Sequence, residues 1–193
     1  MHKFTLFCLS IYLLFFISCD ENSIQKHSNN KIQPTDKTFD LTGIFNQRYK
    51  FSVNKTRIKL TTNKPIIIVN LFKPSCQPCI QQMKNLDQLQ KEYHQNIFTL
   101  SLSIKETKQK ELLALLATYN LHYFIANFTQ ESKRLATLLK KQVIKSNAYT
   151  LPLTIIYLKG KYFTHYEGVI PLEMMRYDLA EAQKNLKSKK LME

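Results

Sequence analysis

The segment KPIIIVNLFKPSCQPC, residues 64–79, joins an apolar run to two cysteines that are separated by two residues. The run is too short to span a membrane and is typical of a strand with both faces covered. Pro78 and the amphipathic segment after it suit the start of a helix. Cys76 and Cys79 therefore lie at a strand-to-helix turn, where unpaired backbone N–H groups and the helix dipole stabilise a thiolate. This arrangement predicts reversible disulfide exchange.

The first 18 residues have the pattern of a secretion signal, a lysine followed by an almost unbroken apolar run. The run is shorter than the roughly 20 apolar residues of a transmembrane helix. Phe16-Ile17-Ser18-Cys19 resembles the lipobox of bacterial lipoproteins, with Phe where Leu is usual. This resemblance implies lipidation of Cys19, and Asp20 implies retention at the inner membrane, facing the periplasm. An uncleaved anchor or a soluble secreted protein are the alternatives.

The cysteine count agrees with a redox role. Cys8 would leave with the signal and Cys19 would take lipid, so only Cys76 and Cys79 remain for the folded domain. A disulfide-stapled scaffold would need several pairs that close longer loops. One close pair in an extracytoplasmic chain is better explained by disulfide exchange.

The chain has 193 residues and a formal charge of +14, and the mature part would keep +13 after the loss of Lys3. One domain with an adequate core is expected. The basic residues are spread along the chain and accompany no nucleic-acid motif. We favour a solvated, lysine-rich surface; the alternative is attraction to anionic head groups, at most about 1 kcal/mol per basic residue.

The chain divides into four parts by composition. Residues 1–18 form the predicted signal, and residues 19–37 form a polar, flexible tether with almost no apolar residue. Residues 38–188 form the folded domain. Residues 189–193 form a frayed basic tail.

Strand and helix patterns alternate within the predicted domain, which is typical of an α/β fold. The helix after Cys79 and the strand at 97–104 complete a strand-helix-strand unit with parallel strands. The other predicted elements are a hairpin of 39–41 and 49–53, helices at 111–119 and 131–140, a short strand at 122–126, a hairpin of 147–158 and 162–167, and a helix after Pro171.

This order resembles the thioredoxin fold, and more narrowly its TlpA/ResA branch, over roughly residues 39–186. The matching residues are Asn70, Cys76, Pro78, Cys79, Pro152, Gly160-Lys161 and Glu167-Gly168. The resemblance implies a thioredoxin-like mixed sheet flanked by helices, with an N-terminal β-hairpin extension. It also implies a cis bond between Leu151 and Pro152 that faces the cysteines, where the backbone of Leu151 pairs with an extended substrate.

The resemblance further implies a thiol-disulfide oxidoreductase that needs no bound cofactor. Cys76 would be the attacking nucleophile and Cys79 the resolving thiol of a redox-active disulfide. The implied partners are protein thiols and disulfides, for example those of apocytochrome c, and a membrane thiol-reducing transporter. A reductant is favoured over an oxidant, although a dipeptide between cysteines does not fix the direction.

Three residues depart from the family pattern. Ser75 replaces the usual Trp beside the first cysteine, and Gln82 replaces a buried glutamate. Asn70 occupies the position of thioredoxin's buried aspartate. No carboxylate therefore remains at these positions to accept a proton from Cys79, and water, a main-chain group or the substrate is expected to do so.

The remaining site residues carry weaker expectations. Gln77 separates the cysteines together with Pro78, and Lys73 adds positive charge near Cys76, although its side chain is expected to point to solvent. No metal site is predicted, because His94, His122 and His165 lack ligand spacing. The alternatives are a copper chaperone that recruits His165, a static disulfide, and a non-catalytic lipoprotein that binds a partner.

Overall fold

The computed structural model describes residues 36–146 and 148–190. The predicted signal, Cys19 and the tether as far as residue 35 lie outside these residues. The strands are β1 (Lys37–Thr42), β2 (Arg48–Asn54), β3 (Arg57–Leu60), β4 (Ile66–Phe72), β5 (Ile97–Ser103), β6 (Phe124–Ile125), β7 (Leu153–Leu158) and β8 (Lys161–Glu167). The helices are α1 (Gln77–Glu92), α2 (Gln109–Tyr119), α3 (Gln130–Val143) and α4 (Leu172–Lys190).

The strands form one sheet in the order β1-β2-β3-β8-β7-β4-β5-β6. β4 pairs parallel with β5 and antiparallel with β7, so the sheet is mixed. Every residue of β4 is buried, because the sheet is covered on both faces at this strand. The predicted α/β class with a mixed sheet and flanking helices is confirmed.

The side chains of β4 alternate between two hydrophobic clusters. Ile66, Ile68 and Phe72 pack with α1, α2 and α4 on what we call the α1 face. Ile67, Val69 and Leu71 pack with α3 and the N-terminal strands on the α3 face. The position of a residue along β4 therefore tells which layer its side chain enters.

The N-terminal extension is larger than the predicted hairpin. β1 and β2 form that hairpin, and β3 adds a third strand that joins β2 to β8 through an Arg57–Lys161 pair. The end of β1 also reaches the far edge of the sheet, where Gly43 forms an antiparallel bridge with Ala126. The sheet therefore curls around α3. β3 was missed because four alternating residues give little periodic signal.

The helix ends follow local chemistry. Cys76 is the N-cap of α1, and Pro78 occupies an early helical position that needs no backbone donor. α3 begins with a capping box between Thr129 and Ser132. α2 ends at Asn120, whose φ of 52° lies in the left-handed region that often terminates helices.

α4 is 19 residues long and ends at Lys190, inside the stretch predicted as a frayed tail. Met175, Leu179 and Ala182 of this helix are buried in the α1-face cluster. Among the residues that the structure describes, no helix is long and apolar enough to cross a membrane.

Gly160 closes the β7–β8 turn at a position where a side chain does not fit. Its φ is +72°, and an added Cβ would lie 2.2 Å from the carbonyl oxygen of Ile58. We expect Gly160→Ala to lower the free energy of unfolding by about 2–4 kcal/mol, since backbone strain and a clash act together. Chemical denaturation measures this change.

Gly168→Ala is the matched control for this prediction. Gly168 also has a positive φ, +82°, but an added Cβ would meet nothing closer than the Thr150 Cγ2 at 3.9 Å. We expect Gly168→Ala to lower the free energy of unfolding by about 1–2 kcal/mol, from backbone strain alone. Equal losses in the two variants would show that contact with Ile58 costs nothing.

Candidate functional site

Cys76 and Cys79 are joined by a disulfide bond, with their Cα atoms 5.1 Å apart. Cys79 is fully buried in the α1-face cluster, whereas Cys76 is partly exposed at the start of α1. The backbone N–H of Cys79 donates to the Cys76 Sγ at 3.2 Å, and the first turn of α1 has no acidic residue. Once the disulfide opens, this hydrogen bond and the helix dipole would stabilise a Cys76 thiolate.

The loop from β4 into α1 forms the surface beside Cys76. Lys73, Ser75, Gln77 and Pro78 are all exposed. The loop turns tightly, because the Cys76 N–H donates to the Lys73 carbonyl at 3.1 Å. A second molecule can therefore approach the Cys76 sulfur, while the Cys79 sulfur is covered.

The Leu151–Pro152 peptide bond is cis, as the resemblance implies. β7 begins directly after Pro152, and its first residue, Leu153, is opposite Leu71 near the end of β4. Pro152 therefore lies at the end of the sheet where β4 stops and the cysteine loop begins. The carbonyl of Pro152 accepts the Gly168 N–H at 2.8 Å. The sheet thus brings the cis proline and the cysteine loop to the same edge.

Glu167 holds the segment before the cis proline. One oxygen of its carboxylate accepts the Thr150 N–H at 2.6 Å. Glu167 also pairs with Leu153 across β7 and β8, so this contact ties residue 150 to the end of β8. The sequence indicated Glu167 only as part of a family motif and gave no such role.

Glu167→Ala should release the Thr150 amide and speed its hydrogen exchange at least about threefold, measured by NMR. The expected loss in the free energy of unfolding is below about 1 kcal/mol, because the Glu167 side chain is exposed and water replaces it. Glu167→Gln keeps an acceptor oxygen and should retain protection. Unchanged exchange in Glu167→Ala would contradict the contact.

Asn70 lies on the α1 face of β4, between Ile68 and Phe72 in the alternation, and is fully buried. Its Nδ2 donates to the Ser101 Oγ at 3.0 Å, and Ser101 shares a 2.8 Å hydrogen bond with the Tyr123 hydroxyl. Burial raises the pKa of Tyr123 far above its ordinary value, so this hydroxyl stays protonated. The chain of polar groups is neutral throughout.

Two buried oxygens near this chain have no partner among the described residues, the Asn70 Oδ1 and the Thr154 Oγ1. Asn70 and Thr154 are opposite each other in the β4–β7 ladder. Sequence reasoning singled out Asn70 but missed Ser101, Tyr123 and Thr154, which belong to three other segments. Only the alternation of Ile97–Ser103 offered a signal, since it places Ser101 on one face with Thr99 and Ser103.

Gln82 links α1 to the segment before α4. Its Oε1 accepts the Ile170 N–H at 3.0 Å, and its Nε2 contacts the Met175 Sδ at 3.3 Å. Asn85 donates to the carbonyl of the same Ile170 at 3.0 Å. The amide of Gln82 is thus engaged in holding two elements together, a contact for which a carboxylate would lack the donor.

His165 lies away from the cysteines. It pairs with Ile155 across the β7–β8 ladder, and Ile155 packs on the α3 face, whereas Cys79 packs on the α1 face. The His165 Nδ1 is 2.6 Å from the Tyr162 hydroxyl. Within the described part of the chain, no group of three or more His, Cys, Asp or Glu residues could hold a metal ion.

Solved structures share this fold. A protein of Neisseria meningitidis described as a thioredoxin aligns with a TM-score of 0.58 and 17% identity, over 79% of this chain and 92% of its own. A thio-disulfide isomerase from Thermus thermophilus aligns with a TM-score of 0.54 and 16% identity, over 76% and 92%. A secreted disulfide oxidoreductase of Mycobacterium tuberculosis aligns with a TM-score of 0.53 and 12% identity, over 74% of this chain and 95% of its own.

At these identities the likeness establishes the fold, which is thioredoxin-like with a three-stranded N-terminal extension. No protein-family model and no curated protein sequence matches the chain. The fold places the Cys76–Cys79 disulfide at the strand-to-helix turn between β4 and α1.

Proposed function

We propose that the chain is a thiol-disulfide oxidoreductase that works through Cys76 and Cys79. The observation that carries the proposal is the unequal pair itself: a partly exposed sulfur at the N-cap of α1 bonded to a fully buried one. The position of Leu151 and Pro152 directly before β7, at the end of the sheet where β4 also ends, supports it. The names of the structural neighbours point to the same chemistry.

The exchange balances without a bound cofactor. In the reduced protein, a Cys76 thiolate attacks a substrate disulfide; one substrate sulfur leaves with the electron pair and takes a proton, and a mixed disulfide forms. The Cys79 thiol then attacks the Cys76 sulfur; as the bond between Cys76 and the substrate breaks, the second substrate sulfur leaves with the electron pair and takes the Cys79 proton. The substrate has gained two electrons and two protons, and the Cys76–Cys79 disulfide has formed again.

Cys79 must give up a proton inside the core in this second step. The neutral Asn70, Ser101 and Tyr123 provide no carboxylate to take it. We assign the acceptor role to the departing substrate thiolate, which is generated next to Cys76 as Cys79 attacks. An extended substrate would pair with the backbone of Leu151, beside the cis proline.

We propose that the protein acts as a reductant, with electrons from a membrane thiol transporter, and that it reduces substrate disulfides, such as those of apocytochrome c, to thiols. Equilibration of the full chain with glutathione buffers, read by mass spectrometry of thiol-alkylated protein, gives the potential. A value near or below about −270 mV supports a reductant, and one near about −120 mV refutes it. A pair that does not exchange would identify a static disulfide.

We propose that the folded domain is held outside the cytoplasm by lipid on Cys19, at the inner membrane. The support is the lipobox-like Phe16–Cys19 segment followed by Asp20. Several acyl chains anchor a protein stably, since each buried CH₂ adds about 0.8 kcal/mol. Mass spectrometry of the membrane-extracted chain tests this proposal. An unmodified Cys19, or equal membrane recovery of Cys19→Ala, would contradict it.

A further inference from the structure

The strand ends opposite the disulfide meet at a surface that is rich in unpaired positive charge. β4 begins there at Ile66, next to the β7–β8 turn, where the Lys159 N–H donates to the Pro65 carbonyl at 2.7 Å. β1 also begins at this end, and the β2–β3 turn lies beside it. We call this the basal surface and define it by the exposed residues Lys37, Lys55, Arg57, Lys59, Lys159 and Lys161.

None of these six side chains has a carboxylate within 4.0 Å among the residues that the structure describes. Some exposed basic residues elsewhere do pair in this way, for example Lys50 with Asp40 and Arg134 with Glu131, whereas Lys105, Lys108 and Lys110 do not among residues 36–146 and 148–190. The basal surface includes a cavity of about 490 Å³ lined by Lys55, Arg57, Lys59 and Lys159. Asp36 is its single acidic lining residue, and Asn54 donates to that carboxylate at 2.6 Å.

The chain enters the domain at this same surface. Asp36 lines the basal cavity, and β1 starts one residue later. β4 has seven residues, which at about 3.3 Å per residue place its far end, and with it Cys76, about 20 Å away. The Cys76 site and the entry point of the chain are therefore at opposite ends of the sheet.

We propose that the basal surface docks onto anionic lipid head groups and holds the Cys76 end away from the bilayer. This inference rests on the proposed lipid anchor at Cys19, 17 residues before Asp36 and so within about 60 Å of it at full extension. An anchor alone permits many orientations of the domain. Unpaired lysines and arginines around the entry point favour one, because each is drawn to the negative surface potential of the membrane.

Lysine footprinting tests the orientation. The full lipidated chain is placed in nanodiscs of phosphatidylcholine, with or without phosphatidylglycerol, and acetylated with a water-soluble reagent before mass spectrometry. Basal lysines should react at least fivefold more slowly in the anionic discs, and 0.5 M salt should remove this protection. Lys105, Lys108 and Lys110, at the other end of the sheet, should react equally in both.

Two variants with equal loss of charge separate the basal surface from total charge. Replacing Lys55, Arg57, Lys59 and Lys159 by Gln should abolish the protection of Lys37 and Lys161. Replacing Lys84, Lys105, Lys108 and Lys110 by Gln should leave that protection intact, because these exposed lysines line neither the basal cavity nor the cavity beside Lys37. Uniform reactivity, protection centred elsewhere, or equal protection in neutral discs would overturn the proposal.

Failure of the proposed anchor or of the redox activity would be visible separately. A chain without lipid would not stay with the discs; the same variants are then compared by sedimentation with phosphatidylglycerol vesicles. The basal variant must bind at least tenfold more weakly than the other variant, or the docking proposal is wrong. Disulfide reduction in detergent, without membranes, reports on Cys76 and Cys79 alone.

Discussion

Cys79→Ser is expected to accumulate a mixed disulfide between Cys76 and its substrate, whereas Cys76→Ser should form none. Cys76 is the partly exposed sulfur, and Cys79 is fully buried, so an incoming disulfide reaches Cys76 first. Resolution then depends on a neighbouring thiol, whose effective molarity in well-oriented pairs reaches about 10⁵ M or more. Millimolar external thiol cannot replace it, and turnover should fall at least about a thousandfold.

Non-reducing electrophoresis and mass spectrometry of trapped complexes measure this effect. Gln81→Ala is a suitable control, because Gln81 is exposed on α1 and its Nε2 donates to the Asn85 Oδ1 at 3.2 Å, a contact between two residues of the same helix. Its turnover should stay within about threefold of the native value. Trapping through Cys79 in Cys76→Ser would reverse the two roles. Absence of trapping in both variants would show that the disulfide is static.

Asn70→Asp is expected to make stability strongly dependent on pH. Asn70 is fully buried and its Oδ1 has no partner in the described part of the chain, so an aspartate there would be ionised only at a desolvation cost. A rise of about 2–3 units in the pKa of the new carboxyl equals about 3–4 kcal/mol. Stability at pH 7 should fall by about this amount.

The sign follows from linkage. Below about pH 3 the new carboxyl is protonated in both the folded and the unfolded chain and the penalty vanishes, and at pH 4 less than about 1 kcal/mol of it remains. As pH rises, the unfolded chain loses its proton first, so stability declines up to the folded-state pKa and is then constant. Denaturation midpoints at pH 4 and pH 7 measure this difference.

Asn70→Leu separates charge burial from the loss of the hydrogen bond to Ser101. It removes the same 3.0 Å contact but has no charge at any pH. Its stability should change with pH in parallel with the native protein. If Asn70→Asp also follows that profile, the pocket solvates a carboxylate and the proposed neutral environment of Asn70 is wrong.

The sequence predicted the secondary structure correctly where a single local pattern determines it. The apolar run Ile66–Phe72 followed by Cys76 and Cys79 predicted a buried strand, a helix start and their order. The cis state of Leu151–Pro152 came from resemblance, because spacing alone would favour trans. The predicted roles of Cys76, Cys79, Leu151 and Pro152 remain predictions until tested in solution.

Features that depend on distant pairing were not predictable. β3 is a four-residue strand that gains its place from β2 and β8, and the Gly43–Ala126 bridge joins segments 83 residues apart. The hydrogen bond between Asn70 and Ser101 spans 31 residues, and the one between Gln82 and Ile170 spans 88. No local propensity encodes such partners, since they are set only when the whole sheet assembles.

The placement of β1 determines how the domain would respond to mechanical load. We consider a pull on the chain at Asp36 that is directed along β1, from Thr42 toward Lys37. Such a pull loads this strand along its axis. The hydrogen bonds of the six β1–β2 pairs run across that axis, so the load would be shared among them rather than breaking them one by one. The Gly43–Ala126 bridge secures the far end of the same strand. A load on Asp36 is therefore expected to be resisted by the whole of β1 and by this bridge together, and not by the first β1–β2 pair alone.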